Sequence, residues 1–207
     1  MGNRYFLDLD KNRLLVVFGI TFLMMVVEFI GGILSGSIAL VSDAAHMLVD
    51  AFALGCSALA SFWAAKEGVK KIEGCSVNEL RIALMNGIVL VFVAIFIACS
   101  VWQRFFNPNE IQSGLMLTVA VIGLFVNIIG IFLLHHGSKK NINIRGAFLH
   151  IVSDTLSSLG VIIGGIVIYF TGWYLIDSLL GFLIALMILR GGIGLIKDSI
   201  KILIKEN

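Results

Sequence analysis

Charged residues and proline are both scarce in this sequence of 207 residues. Only 14% of the residues are Asp, Glu, Lys or Arg, whereas 59% are hydrophobic. A soluble domain has nearer a quarter charged and half apolar. The single proline also leaves no room for a rigid proline-rich linker between two domains. The composition therefore excludes an ordinary soluble domain and predicts one integral membrane domain over residues 1–207.

Cysteine is scarce as well. The three cysteines, Cys56, Cys75 and Cys99, are odd in number and widely spaced. This pattern favours neither a disulfide framework nor a Cys-x-x-Cys metal or redox site. We interpret them as small apolar packing residues.

Long apolar runs are what the sequence has instead. A membrane-spanning helix needs about 20 mostly apolar residues, and six such runs predict an all-α bundle of six transmembrane helices. The first run is too long for a signal-peptide core and lacks a small-residue cleavage site, so we expect it to be retained. The predicted helices lie near residues 14–34, 39–65, 80–102, 114–134, 142–170 and 174–196.

The positions of Lys and Arg predict the orientation of the bundle. These residues collect on the cytoplasmic side of membrane spans. Here they fall in the amino terminus, the second and fourth connections and the carboxy-terminal end, whereas Arg104 alone lies on the opposite side. We therefore expect both termini in the cytoplasm. The expected location, as a separate prediction, is the plasma membrane.

The helices also divide into two halves of three. The second and fifth helices occupy the same place in each half, and an odd number of spans turns the second half upside down. Inverted repeats of this kind often frame a transport site near the bilayer midplane. The predicted fold is thus two inverted three-helix halves.

Ionisable residues inside the predicted spans are few and grouped. Each costs about 2.5–3.5 kcal/mol to insert, so a chain keeps them where they pair, reach water or bind something. In the second helix, SDAAHMLVDAF places His46 four residues before Asp50, on one helical face. In the fifth, RGAFLHIVSDTLSSLG places His150 four residues before Asp154. Because inverted halves make these helices antiparallel, we expect each histidine to face the other helix's aspartate.

Two imidazole nitrogens and two carboxylate oxygens form a tetrahedral shell that zinc accepts at about 2.0–2.2 Å. Cobalt and cadmium could also fit, whereas calcium and magnesium prefer more oxygen ligands. The predicted metal ligands are His46, Asp50, His150 and Asp154. If each helix is limited to its apolar run, the two His/Asp pairs lie roughly 10 Å apart in depth within the membrane, at about 1.5 Å per residue. A fifth helix that begins near residue 142 and sits shifted outward would bring them level.

Three further polar residues are expected near this cavity as supporting or proton-relay groups. Glu28 lies in the first helix and Asn127 in the fourth; an interhelical hydrogen bond is an equal interpretation for Asn127. Asp43 shares the face of the second-helix pair, but it closely follows a turn, so a helix amino-terminal charge is its alternative role. His135 and His136, in the fourth connection, are either solvated loop residues or transient metal collectors.

Other interpretations of the His/Asp pairs stay open. The protein could be a non-transporting structural membrane subunit whose pairs are interhelical hydrogen bonds. The presence of two matching pairs argues against this, because the chain would then bear the free-energy cost of inserting ionisable side chains twice for packing alone. Haem ligation by the two histidines is a second alternative, disfavoured by the aspartate one turn from each. A membrane enzyme is not favoured, since the sequence has no nucleophile arrangement or cofactor motif.

These motifs resemble the cation diffusion facilitator family, especially its zinc-transporting branch. The segment EFIGGILSGSIALVSDAAHMLVD (28–50) is similar to the first two helices of that branch, and NIRGAFLHIVSDTLSSLGV (143–161) to its fifth. The resemblance extends over essentially the whole chain and is weakest in the third helix. It implies a transporter that exports Zn²⁺ from the cytoplasm in exchange for protons, with the two His-x-x-x-Asp motifs as its transport site. Relatives with aspartate at the position of His46 more often handle other metals, so this histidine favours zinc.

The carboxy terminus departs from the family pattern. Relatives normally continue into a cytoplasmic domain that binds metal and helps dimerisation. This sequence ends soon after the sixth helix, so no C-terminal cytoplasmic metal-binding domain is expected. A homodimer would then form through the membrane helices. The expected partners are a divalent metal ion and the lipid bilayer, with no nucleic acid.

Overall fold

The computed structural model describes the backbone of residues 2–49, 51, 77–107, 109–138 and 142–204. Within these ranges the chain is helical and contains no strand. Its helices, in chain order, are α1 (Gly2–Ser35), α2 (Ile38–Val49), α3 (Val77–Phe106), α4 (Ser113–Ser138), α5 (Ile142–Thr171) and α6 (Leu175–Ile204).

Five of these helices contain segments that are long and apolar enough to cross a membrane. The helix α2 is apolar too, and Ala51 is also helical, but the rest of the predicted second helix, 39–65, lies outside the described residues. The all-α membrane bundle is therefore confirmed, whereas the count of six spans and the inverted halves stay predictions. The five segments are Leu15–Ser35, Leu80–Phe106, Ser113–His135, Ala147–Thr171 and Leu175–Ile204.

Several helices extend beyond the apolar runs that predict them. Helix α1 begins at Gly2 rather than near residue 14, and α6 continues to Ile204 rather than ending near 196. An apolar run marks only the part of a helix that crosses lipid, whereas Lys, Arg and Leu are good helix formers and carry the helix into water. For the same reason α4 reaches Ser138, so His135 lies within this helix and not in a connection.

The outer surface of the bundle is apolar. Among the most exposed side chains are Phe96 (74%), Phe132 (75%) and Phe170 (78%). Water would not tolerate so much contiguous apolar surface on a monomer. Polar side chains such as Glu28 and Asp154 are instead buried. This inside-out distribution identifies an integral membrane protein.

The helices pack in two main groups. Helix α3 packs on α6, while α4 packs on both α5 and α1. The α3–α6 contact is close because it is lined by glycine: a Cβ added at Gly192 would lie only 3.0 Å from the carbonyl oxygen of Gly87. Small residues allow such backbone approach between membrane helices.

The turn between α1 and α2 defines one end of the bundle. Gly36 adopts a positive φ of 74° in this turn, a conformation that glycine tolerates best. The backbone N–H of Gln112, just before α4, donates to the Ser35 carbonyl (2.9 Å). Asp177, in the first turn of α6, accepts a hydrogen bond from the Ile38 N–H (2.7 Å). The amino-terminal ends of α2, α4 and α6 therefore lie together.

This arrangement fixes the relative direction of α2 and α5. Helix α5 ends at Thr171 and α6 begins at Leu175, so only a short turn separates them. The carboxy-terminal end of α5 thus lies beside the start of α6, and hence beside the start of α2. Helices α2 and α5 run antiparallel.

Candidate metal centre

The polar faces of α2 and α5 meet. The Ser157 hydroxyl of α5 donates to Oδ1 of Asp43 in α2, at 2.7 Å. The imidazole rings of His46 and His150 meet edge to face, with their centroids 6.1 Å apart and their planes at 63°. The depth gap of roughly 10 Å expected from the apolar limits is therefore absent for the two histidines. Helix α5 begins at Ile142.

The Asp43–Ser157 hydrogen bond sets the register of the two helices. His46 lies three residues after Asp43, and Asp154 lies three residues before Ser157. Because antiparallel helices both advance about 1.5 Å per residue, His46 and Asp154 lie at the same level.

Three of the four predicted ligands lie in the described part of the chain. His46 is half-buried, the His150 side chain is 33% exposed, and Asp154 is 2% exposed. Nε2 of His150 lies 3.6 Å from Oδ2 of Asp154, one turn along the same helix. The fourth ligand, Asp50, lies outside the described residues.

The spacing of the imidazoles is close to what a shared zinc ion requires. With Zn–N bonds of about 2.0–2.1 Å in a tetrahedral shell, two ring centroids lie about 5 Å apart. The observed separation of 6.1 Å needs a small inward shift of each ring. Among the described residues, no group of three or more His, Cys, Asp or Glu side chains already stands in a metal-binding arrangement. The ligand set stays a prediction that this juxtaposition supports.

Glu28 brings a carboxyl group from α1 towards the same region. It is 2% exposed, and it is close enough to Asp43 and Asp154 to interact with their charges. Its side chain fits because residue 123 of α4 is glycine, where a Cβ would collide with Oε1 of Glu28. Within the described part of the chain, Oε2 of Glu28 has no hydrogen-bond partner. A supporting or proton-relay role for Glu28 stays a prediction.

Asn127 makes a hydrogen bond between helices. It is 4% exposed, and its Nδ2 donates to the Ser158 hydroxyl of α5 at 3.3 Å. This contact ties α4 to the turn of α5 that follows Asp154. It matches the interhelical interpretation of Asn127, and it leaves a role close to the metal as a prediction.

His135 contacts α5 close to its beginning. It is exposed near the end of α4, and its ring centroid lies 5.9 Å from that of Phe148. The side chain of His136 lies outside the described residues. A metal-collecting role for the two stays a prediction.

Two polar residues with structural roles, Ser157 and Asp177, were not predicted from the sequence. Ser157 lies seven residues after His150, so the helical repeat could have placed it on the ligand face. Asp177 is completely buried at the start of α6. The rule that an intramembrane carboxylate needs a partner could have singled it out, but its partners come from a distant turn that the sequence does not reveal.

Comparison with known proteins decides the family. A family model described as the cation efflux transmembrane domain matches residues 14–204. The chain belongs to the cation efflux family. This finding confirms the resemblance to cation diffusion facilitators that rests on the two His-x-x-x-Asp motifs.

Curated relatives support the zinc branch of this family. The chain is 41% identical over 200 residues to the zinc transporter ZitB of Escherichia coli (strain K12), covering 96% of this chain. It is 38% identical over 208 residues to a cadmium, cobalt and zinc/H(+)-K(+) antiporter of Bacillus subtilis (strain 168), covering 99% of this chain and 67% of the relative. The chain spans 64% of the length of the E. coli relative. The residues that match the family's transmembrane-domain model make up most of the chain.

Proposed function

We propose that this chain exports zinc from the cytoplasm through a buried site formed by His46, Asp50, His150 and Asp154. The observation that carries the proposal is the meeting of α2 and α5. The 2.7 Å hydrogen bond from Ser157 to Asp43 brings His46 level with Asp154, and the two imidazoles are neighbours. His46, His150 and Asp154 could therefore bind one cation without any sliding of α2 along α5.

Zinc is the preferred cargo on chemical grounds. Two imidazoles and two carboxylates suit the tetrahedral coordination of Zn²⁺, and the sites of calcium and magnesium are richer in oxygen. The names of the relatives support the same class of ion, since they include a zinc transporter and a cadmium, cobalt and zinc antiporter. Cadmium and cobalt are therefore the expected secondary substrates.

Protons are the proposed counter-ion. An imidazole must lose its proton before it can bind a metal, so metal binding and proton release are linked. In our proposal the site loads zinc from the cytoplasm and opens outward, where protons return to the two histidines and release the ion. The antiporter name of the Bacillus relative supports this exchange.

The surrounding carboxylates have a subordinate role in the proposal. Glu28 is buried beside the acidic residues of α2 and α5. A carboxyl group in this position can accept a proton while zinc occupies the site, or return it when zinc leaves. Asp43 is held by Ser157 one turn from His46 and would stabilise the approaching cation.

The proposed setting is the plasma membrane, with both termini in the cytoplasm. The α1–α2 turn and the start of α6 then face outward. Two inverted three-helix halves and a homodimer formed by membrane helices complete the proposed architecture. Chemical crosslinking in native membranes tests the dimer, and labelling of single introduced cysteines tests the orientation.

Transport by reconstituted vesicles tests the proposed function. The parent protein is expected to accumulate zinc in vesicles with an imposed pH gradient, and Asp154→Ala is expected to lose both zinc binding and uptake. Ser153→Ala, an exposed neighbour on α5, is the matched control and should behave as the parent. Zinc uptake by the parent that ignores the pH gradient would refute proton coupling. Uptake by Asp154→Ala at the parent rate would refute the site.

The structural-subunit alternative has a specific observation in its favour. The Asp43–Ser157 and Asn127–Ser158 hydrogen bonds do link helices. The alternative predicts that zinc adds nothing to stability. The transporter proposal predicts stabilisation of about 2.7 kcal/mol when zinc is present at one hundred times its Kd. Thermal unfolding in detergent with and without zinc separates the two.

A further inference from the structure

Asp177 holds the start of α2 against α6. Its side chain is fully buried, at 0% exposure. The carboxylate accepts hydrogen bonds from the Ser37 hydroxyl (2.5 Å), the Ile38 N–H (2.7 Å) and the Ala39 N–H (3.3 Å). All three donors belong to the residues that begin α2. A buried carboxylate is stable only when such donors replace its water.

This contact is additional to the local cap of α2. Helix N-termini are commonly capped by a nearby Ser side chain, and here the Ser37 hydroxyl already accepts a hydrogen bond from the Leu40 N–H (3.2 Å). Asp177 comes from another helix, 138 or more residues away along the chain. Its particular effect is therefore to join α2 to α6.

A second feature of α6 serves the same contact. Gly181 lies one turn after Asp177, and a Cβ added there would lie 2.9 Å from Cγ2 of Ile38 and 3.6 Å from the Ala39 nitrogen. The missing side chain lets the first turn of α2 approach α6 closely. The carboxylate and the glycine thus fix this turn independently, one by hydrogen bonds and the other by shape.

The rest of the α1–α2 turn is held as well. The Arg104 guanidinium of α3 donates to the Gly36 carbonyl, and the Gln112 N–H donates to the Ser35 carbonyl. Each of the five residues from Ser35 to Ala39 thus has a hydrogen bond to a distant part of the bundle. The start of α2 therefore has little freedom to slide. His46 lies eight residues beyond Ile38, about 12 Å along the same helix.

We infer that Asp177 is a positioning residue for the metal site: by anchoring α2 to α6 it sets the depth and rotation at which His46 meets His150 and Asp154. This inference rests on the proposed metal site. Metal–ligand distances are held to about 0.2 Å, so a small slide or turn of α2 misplaces its ligand. The contacts of Asp177 with α2 lie about two turns before that ligand, and Asp177 is not itself a proposed ligand.

Cobalt binding to the purified, detergent-solubilised protein tests this role. Co²⁺ occupies zinc sites and reports a tetrahedral shell by its visible absorption, which Zn²⁺ with its filled d shell lacks. Asp177→Asn is expected to weaken Co²⁺ binding by about tenfold, because a displaced α2 misplaces its ligand, and to alter the tetrahedral bands. Gly181→Ala keeps the carboxylate but should displace α2, because its methyl group would press on Ile38. It should therefore also weaken Co²⁺ binding and alter the tetrahedral bands.

Two control variants separate positioning from general stability. Asp198→Asn removes an exposed acid from the same helix and should keep the parent affinity and spectrum. Ile188→Ala removes a buried apolar side chain of α6 and should lower thermal stability without changing the cobalt bands. A comparable spectral change in Ile188→Ala would overturn the inference, because destabilisation alone would then explain the effect.

The remaining outcomes are also decisive. A folded Asp177→Asn protein with the affinity and spectrum of the parent overturns the positioning role but leaves the proposed site intact. If Asp177→Asn does not fold, Gly181→Ala carries the same test with the carboxylate in place. A parent protein that gives no tetrahedral cobalt spectrum removes the proposed site, and the inference with it.

Discussion

The α2–α5 and α3–α6 interfaces are made from different groups. Between α3 and α6, Gly87 and Gly192 bring the backbones together among buried apolar side chains such as Leu90 and Ile188. Between α2 and α5, the contacts run instead through a carboxylate, a hydroxyl and two imidazoles. At these glycines the α3–α6 contact is apolar and close, whereas the α2–α5 contact is polar and partly exposed.

The difference agrees with separate roles for the two interfaces, packing for one and the proposed metal binding for the other. Helices in a membrane associate well through small residues and van der Waals contact. Around Gly87 and Gly192, the α3–α6 pair shows that this chain can pack helices through glycine and apolar side chains. Helix packing in this chain can therefore rest on apolar contact, and in our proposal the insertion cost of the polar residues in α2 and α5 is explained by metal binding. We expect substitutions in the two interfaces to have separable effects.

The largest effect is expected from His150→Ala. Removing one of four ligands should weaken zinc binding by more than about 100-fold, because even outer partners of metal ligands contribute 10–100-fold. Isothermal titration of the purified protein measures this. His135→Ala, an exposed histidine near the end of α4, is the control. Equal losses in both variants would mean that zinc binds outside the α2–α5 interface.

Next in size is a change of stability from Gly192→Ala. The new methyl group would meet the Gly87 carbonyl at 3.0 Å and Cβ of Leu90 at 2.9 Å, and such overpacking typically costs about 1–3 kcal/mol. Thermal or denaturant unfolding in detergent measures the loss. Gly191→Ala is the matched control, since within the described part of the chain no atom beyond its immediate neighbours and its own helix backbone lies within 4 Å of the added Cβ. A large loss of zinc affinity in folded Gly192→Ala would contradict the expectation that the two interfaces have separable effects.

A smaller effect, on metal preference, is expected from His46→Asp. The variant keeps four ligands but replaces a nitrogen with an oxygen, which favours harder ions such as Mn²⁺. We expect the ratio of Zn²⁺ to Mn²⁺ affinity to fall about tenfold, the equivalent of 1.4 kcal/mol. Competition titrations with the two metals measure this ratio. An unchanged ratio would show that His46 does not contact the ion.

The smallest effect is expected from Ser157→Ala. It removes the hydrogen bond to Asp43 and should lower stability by about 0.5–1.5 kcal/mol, with only a few-fold loss of zinc affinity. Ser153→Ala is the control, because that hydroxyl donates within its own helix to the Leu149 carbonyl. Unfolding and titration of both variants give the comparison. A loss as large as that of His150→Ala would show that the register depends on this one bond.

Much of the fold follows from the sequence because lipid imposes simple requirements. Runs of about 20 apolar residues predict spanning helices, and the structure has helices over five of them. The true ends were less predictable, since α1 and α6 continue into polar sequence that still favours a helix. Hydrophobicity reports where a helix meets lipid and not where its hydrogen bonds stop.

The candidate site was predictable in its residues but not in its geometry. The four-residue spacing within each His-x-x-x-Asp motif places its two side chains on one face. The relative depth of α2 and α5 depends instead on contacts between distant residues, such as Ser157 with Asp43 and Asp177 with Ile38. No local pattern encodes these partners, so helix limits alone gave the wrong depth for the histidines.

X-ray absorption at the zinc edge of the zinc-loaded protein tests the central claim most directly. The account predicts four light ligands at about 2.0–2.2 Å, with the scattering signature of two imidazoles. In His150→Ala the imidazole count should fall to one. Sulfur ligands, a shell of oxygen alone or an unchanged imidazole count in His150→Ala would contradict a site shared between α2 and α5.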